Sequence, residues 1–296
     1  MDFKHIRIAV FGNVHQTQKS RHVASVLRKL DELHVQILVE ERFARFINAE
    51  LHLNLDSYVT FRRTKPLDAD VTISIGGDGT FLGTASIVGS SGVPILGINT
   101  GRLGFLADVS PSQINLALES VCKGEYMIEE RTVMAVEKDG QLSSLLPYAL
   151  NEVAVLKHDN SSLIEIETYV DNHFLAKFLA DGLIVCTPTG STGYSLSVGG
   201  PVLAHESGTF CLSPIAPHSL SVRPVVLRDN VVVRLHVKSR THKFLLSADG
   251  RSESLREDTV ITVRRAPYRI KVIKIEHQHF FDTLREKMMW GADLRD

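Results

Sequence analysis

Cysteine is scarce in this chain of 296 residues, and the three present exclude two classes of protein. Cys122, Cys186 and Cys211 are far apart and lack any C-x-x-C spacing, so they support neither a disulfide framework nor a structural zinc site. They read as small buried hydrophobes. No apolar run approaches the roughly 18 residues that a membrane span needs. Runs of about five or six like charges are also missing. With a formal net charge of −1, nothing in the composition calls for nucleic acid or an anionic membrane surface. The mixed stretch from Met1 to Gly12 does not read as a signal peptide. The expectation is a cytoplasmic protein of one large or two modest domains.

What is present begins with Val71-Thr-Ile-Ser-Ile-Gly-Gly-Asp-Gly-Thr80, an apolar strand emptying into a glycine-rich turn. Gly76, Gly77 and Gly79 have no Cβ, so the backbone is free to take left-handed angles and its N–H groups can approach an anion. A helix from Phe81 to Val88 would aim its positive end at the same place. Asp78 breaks this pattern. Two unit charges about 4 Å apart repel by about 1 kcal/mol in water and about 4 kcal/mol at a protein surface, so a carboxylate beside phosphates needs a compensating task. The tasks that fit are holding Mg²⁺ or accepting a hydroxyl proton in phosphoryl transfer. The spelling misses the dinucleotide fingerprint G-x-G-x-x-G by one residue, and no P-loop lysine follows. The bland alternative is structural punctuation, because Asp-Gly is a common turn pair.

The two halves differ in period. Up to about residue 108, strands (Ile6 to Phe11, Val35 to Val39, Val71 to Ile75, Val93 to Ile98) alternate with helical patterns (Ser20 to Leu33, Glu41 to Leu51). That order implies an α/β domain with a parallel sheet, whose ligands sit at the carboxyl ends of strands. Ser110-Pro-Ser-Gln113 has the form of a helix start, with the helix stopping near Gly124. Beyond it the pattern alternates. Ile164, Ile166, Thr168 and Val170 share one face, Asp171-Asn172 offers a hairpin turn, and Val231 to Val237 alternate likewise, so the second domain reads as mainly antiparallel β. A helical pattern returns from Phe280 to Trp290. The domain expectation is therefore 1–108 with 271–296, and 109–270.

A second constellation follows Asp181. The apolar strand after it runs into Thr187-Pro-Thr-Gly-Ser-Thr192-Gly193-Tyr194-Ser195-Leu196-Ser197, dense in hydroxyls and glycine. Such groups can bind ribose, amide or phosphate oxygens, and Tyr194 can stack on a base. The alternative is a polar surface loop capped by Asp181. Asn151-Glu152 pairs an amide able to read a base edge with a carboxylate able to accept from sugar hydroxyls, or is merely a solvated strand end.

Taken together, Gly76-Gly-Asp-Gly-Thr80, Asn99-Thr-Gly-Arg-Leu-Gly-Phe105, Asn151-Glu152 and the run from Asp181 to Ser195 resemble the bacterial NAD kinase family over nearly the whole chain. The resemblance implies an α/β nucleotide-kinase domain followed by a β-rich NAD-binding domain, a site between them, and homodimers or homotetramers. It implies transfer of the ATP γ-phosphoryl group to the 2′-hydroxyl of NAD, with Mg²⁺ or another divalent cation. Asp78 matches the general base, and Gly76, Gly77, Gly79 and Thr80 the phosphate-binding turn. Asp78 and Gly79, with Phe105, Asn151, Glu152, Asp181, Thr192, Gly193, Tyr194, Ser195, Leu196, Ser197 and Arg251, form the expected substrate set; no protein metal ligand is singled out. Arg102, Leu179 and Arg251 depart from the family pattern, Arg251 near a phosphate or the nicotinamide end. Gly-Gly-Asp-Gly alone is shared with lipid kinases of the diacylglycerol type, which leaves such a kinase as one rival. The other is a non-catalytic NAD sensor.

Overall fold

Strands under helices on both faces are buried throughout, and the early apolar runs are continuous for that reason. The computed structural model describes residues 3, 5–13, 20–51, 58–62, 67–101, 104–158, 162–275 and 280–290. Strands β1 (Arg7–Gly12), β2 (Gln36–Glu40), β3 (Val59–Phe61), β4 (Val71–Gly76) and β5 (Ile95–Asn99) pair in parallel in the order β5-β4-β1-β2-β3. Helices α1 (Ser20–Glu32), α2 (Glu41–Phe46) and α4 (Ile114–Lys123) bury Val26, Leu30, Phe43, Leu118 and Val121 against Ile8, Val10, Ile73 and Ile98. Helix α3 (Asp78–Val88) places Ile87 by Ala9, Phe11 and Leu38.

Three sequence expectations shift. The pattern read as one helix from Glu41 to Leu51 is α2 followed by a π-helical turn, Ile47–Leu51. Helix α3 starts at Asp78, three residues before Phe81, because Gly77 serves as its extended N-cap (φ −97°, ψ −172°). Gly77 and Gly79 therefore do not use left-handed angles; one is extended and the other helical. Before α4, Ser110 and Gln113 form the expected capping box, and Gly124 closes the helix at φ 74°.

Residues from Glu152 to Lys274 mostly follow period two, interrupted by the short helical turn α5 (Tyr194–Ser197). Strands β9 (Glu152–Lys157), β12 (Gly182–Cys186), β13 (Thr209–Ile215), β14 (Val225–Arg228), β16 (Lys243–Ala248) and β17 (Arg251–Arg256) form an antiparallel sheet in the order β14-β13-β12-β9-β16-β17. A second layer contains β10 (Ile164–Val170), β11 (His173–Ala180), β15 (Val233–Lys238) and the start of β18 (Ile261–Lys274), with β6 (Met127–Lys138) carrying the short β7 (Gln141–Leu142) and β8 (Tyr148–Ala149). Val153, Val155, Leu183 and Phe244 meet Ile166, Phe178, Leu235 and Val263 in one core, the packing of a β-sandwich. Asp171 (φ 47°) and Asn172 (φ 68°) make the tight turn between β10 and β11, as their side chains allow.

The chain divides into Met1–Glu130 with Ile270–Asp296, and Arg131–Arg269. The expected boundary at 108 falls too early because α4, read from sequence as opening the second domain, packs on α1. The end of β18 adds to the first unit's sheet in parallel, Val272 opposite Ile95, and helix α6 (Phe280–Met288) belongs there too.

Candidate active site

In the first unit the chain runs outward from β1 to β2 and β3, then returns to the other side of β1 for β4. Strand order thus reverses between β1 and β4, where open α/β sheets bind ligands at the carboxyl ends of their strands. Gly76 to Thr80 stands at that end. A Cβ on Gly76 would lie 2.3 Å from Thr80 Oγ1, so the turn itself demands glycine there. Among the described residues, a Cβ on Gly77 or Gly79 would meet nothing within 4 Å. Those residues leave that space open beside the N–H groups that begin α3.

The Asp78 carboxylate is held by the loop after β5. Oδ2 accepts from the Phe105 N–H at 3.0 Å, and Oδ1 from those of Leu106 and Ala107 at 3.0 and 3.1 Å. Gly104 leaves room for it, since a Cβ there would sit 2.0 Å from Oδ1. Asn99 ties the same loop, its Nδ2 donating to the Ala107 carbonyl at 3.0 Å and its Oδ1 accepting from Gly101 N–H at 2.6 Å. Arg102, one of the departures from the family pattern, lies outside the described residues. Phe105 is buried beside Phe280 of α6, and Lys287 on that helix places Nζ 4.2 Å from the centre of the Phe105 ring and 3.6 Å from Asp78 Oδ2.

In the second unit Asn151 and Glu152 meet the hydroxyl-rich segment directly. Thr187 donates to the Leu150 carbonyl through its hydroxyl (2.6 Å) and to the Asn151 carbonyl through its N–H (2.9 Å). A Cβ on Gly190 would fall 2.1 Å from the Asn151 carbonyl oxygen, and one on Gly193 would fall 3.1 Å from Glu152 Oε2. The turn between β16 and β17 supplies a residue that sequence reading passed over. Asp249, at φ 48°, accepts from the N–H groups of Leu150, Asn151 and Glu152 at 2.7, 2.8 and 3.2 Å. Burial, then the neighbouring Asp249, push the Glu152 carboxyl up to about 7 against a hydrogen bond from the Tyr194 N–H; burial raises Asp249 as well. Asn151 Oδ1 and Glu152 Oε2 are buried with no hydrogen-bond partner among the described residues. Such atoms cost free energy unless something arrives to bond them.

Other expected contacts are distributed differently. The hydroxyls of Thr192 and Ser197 donate to the Thr189 and Tyr194 carbonyls, and the buried Ser195 Oγ meets Ser213 Oγ of β13 at 2.9 Å. Leu196 is half-buried, while Tyr194 is exposed and its ring is free to stack. Asp181 is not gathered into this cluster. It precedes β12 and pairs with Lys157 at 2.6 Å, whereas Thr187 follows that strand's opposite end. Leu179 is exposed on β11. Arg251 opens β17 and donates to the Tyr148 carbonyl at 3.1 Å.

Both units match the same family: the ATP-NAD kinase N-terminal domain over residues 8–126 and the ATP-NAD kinase C-terminal domain over residues 150–275. The chain belongs to the NAD kinase family. An NAD kinase of Bacteroides fragilis is 50% identical over 290 residues, spanning 98% of this chain and all of the relative, and one of Flavobacterium psychrophilum is 40% identical over 295 residues with the same coverage. The crystal structure of an Archaeoglobus fulgidus NAD kinase in complex with ATP superposes with a TM-score of 0.74 at 27% identity, over 96% of this chain and 99% of that one. Yeast NADH kinase complexed with NADH shares the fold, with a TM-score of 0.86 at 23% identity over 98% of this chain and 89% of its own. In this NAD kinase family member, the structure puts Asp249 beside Asn151 and Glu152 in the second unit and Lys287 beside Asp78 in the first, neither of them in the expected set. An Asp-Gly pair between alternating runs is the signal that could have found the first; a lone lysine on an amphipathic helix offers none.

Proposed function

We propose that this chain transfers the ATP γ-phosphoryl group to the 2′-hydroxyl of the adenosine ribose of NAD, making NADP. The observation that carries the reading is Asp78, a carboxylate fixed by three amides at the start of α3 beside the open space over Gly77 and Gly79. Family membership over both units supports NAD rather than a lipid as acceptor. The phosphates lie against Gly76 to Thr80, where the N–H groups and helix dipole of α3 favour negative charge. Asn151 Oδ1 and Glu152 Oε2 accept from adenosine, the one from an exocyclic amine and the other from ribose hydroxyls, which satisfies both orphans. Tyr194 stacks on a ring, Thr192, Gly193 and Leu196 line the same segment, and Arg251 sits by a phosphate or the nicotinamide end.

Two lone pairs of Asp78 Oδ1 and one of Oδ2 are engaged by amides, leaving Oδ2 able to accept from a hydroxyl. A carboxylate is a weak base for an alkanol, so Asp78 orients the hydroxyl first and takes its proton as the bond to phosphorus forms. Mg²⁺ or another divalent cation would be held mainly by the triphosphate and water, with the Asp78 carboxylate adding charge nearby while its last lone pair serves the hydroxyl, and would supply neutralising charge to the phosphates. Among the described residues no cluster of three His, Cys, Asp or Glu side chains forms a metal cage. We also assign a cytoplasmic setting and a homodimer or homotetramer.

The test is NADP formation from NAD, ATP and Mg²⁺ by the purified protein and by Asp78→Asn. The amide oxygen of that variant still accepts from Leu106 and Ala107 while the Phe105 bond is lost, so the loop keeps two of its three ties and NAD affinity persists while turnover falls about 10²- to 10⁴-fold. Wild-type turnover in Asp78→Asn removes Asp78 from the chemistry. NAD binding without product from the wild type points to a sensor instead.

A further inference from the structure

A carboxylate beside phosphates poses a charge problem, and the first unit answers it from the far end of the chain. Lys287, on α6, lies 3.6 Å from Asp78 Oδ2 and 4.2 Å from the Phe105 ring centre. An ammonium closed on a carboxylate sits at about 2.7 to 2.9 Å, so this one is near Asp78 without being consumed by it. The ring face holds a cation without taking a hydrogen bond. Phe105 is fixed in turn, buried against Phe280 and tied through its own N–H to Asp78. A cation is thus positioned at the one Asp78 oxygen with spare acceptor capacity, while its three donors stay available.

We propose that Lys287 is a catalytic residue that bonds the phosphoryl group in flight as it passes to the hydroxyl held by Asp78. The inference rests on the phosphoryl-transfer reading above. Negative charge spreads over the equatorial oxygens of that group in the transition state, and a preorganised ammonium beside the acceptor oxygen stabilises it there more than in the ground state. The same charge offsets the repulsion between Asp78 and the nucleotide.

The test uses the full chain as wild type, Lys287→Met, Lys287→Arg, and Lys287→Cys alkylated with 2-bromoethylamine. In the last, the thiolate displaces bromide and restores an ammonium on a thioether; the native Cys122, Cys186 and Cys211 are buried. Lys287→Met is expected to lose about 10²-fold in kcat and in kcat/KM for ATP together, with NAD affinity and Tm unchanged. Arginine and the aminoethyl group each restore most of the loss. Unchanged or increased kcat in Lys287→Met overturns the proposal, as does a loss that neither cation rescues or that travels with Tm and NAD affinity. Should the wild type make no NADP, the phosphoryl-transfer reading fails and the role of Lys287 with it; NADP formation by the wild type with unchanged kcat in Lys287→Met overturns the role of Lys287 alone.

Discussion

Asp78 in the first unit and Asp249 in the second are built alike. Each is a carboxylate that accepts from three consecutive backbone N–H groups of a loop distant in sequence. Their neighbours differ in sign. Beside Asp78 stands the Lys287 ammonium; beside Asp249 stands Glu152, held up to about 7 by burial and by Asp249 itself. The same backbone device therefore serves two ends. With a cation next to it, an anchored carboxylate can face phosphates and act on a proton. With a carboxyl next to it, the anchor orders a strand end and keeps a buried acid poised to bond neutral hydroxyls and amines, the kind of polar recognition a sugar and a base require.

The sharpest way to break this symmetry is to remove the second anchor. Asp249→Ala leaves the N–H groups of Leu150, Asn151 and Glu152 without their acceptor. At about 1 to 3 kcal/mol for each unmet buried donor, and with some relief from water, the cost is on the order of 3 to 5 kcal/mol. Thermal unfolding should show Tm falling by about 10 °C. Calorimetry should show NAD affinity down more than about tenfold, with ATP affinity unchanged. A variant with wild-type Tm and NAD binding would reduce Asp249 to an ordinary turn residue.

The sequence announced these two anchors unequally. Val71 to Thr80 carried its meaning locally, in apolar strand, glycines and carboxylate together, and the structure needed only to extend α3 back to Asp78. Ser110 with Gln113 and Asp171 with Asn172 were likewise legible, because caps and tight turns are made by adjacent residues. Asp249, Lys287 and the loop that receives Asp78 are joined across 97 or more, 209 and 27 to 29 positions, distances at which spacing says nothing. Hydroxyl density is ambiguous in the other direction. Thr192, Ser195 and Ser197 spend their hydroxyls on neighbouring backbone or on Ser213, a local bond that composition cannot tell from a ligand contact.

A smaller effect separates the two anchors by pH. Below about 4.5, its ordinary value, Glu152 carries a proton folded or unfolded and contributes nothing. Between 4.5 and about 7 the unfolded chain releases that proton and the folded chain keeps it, so stability falls as pH rises, then levels off. The gap corresponds to about 3 kcal/mol. Glu152→Gln, which cannot ionise, should match the wild type in Tm at pH 4.5 and exceed it by several degrees at pH 8. A constant difference across that range would mean that Glu152 is not held up by burial beside Asp249.

The smallest expected change in stability tests what the first unit leaves empty. Gly79 lies in the first turn of α3, and glycine in a helix costs about 0.5 to 1 kcal/mol relative to alanine. Among the described residues a methyl group there meets nothing within 4 Å outside its own helix, whereas one on Gly104 would strike Asp78 Oδ1 at 2.0 Å. Gly104 is a glycine because of Asp78; the described residues give Gly79 no such reason. If the space over it is where a phosphate approaches, Gly79→Ala should raise Tm by about 1 to 3 °C while raising KM for ATP about tenfold. Steady-state kinetics beside thermal unfolding separates the cases. An alanine variant that is more stable and equally good with ATP would place the phosphates elsewhere, and would leave the three-amide anchor of Asp78 as a structural device like that of Asp249.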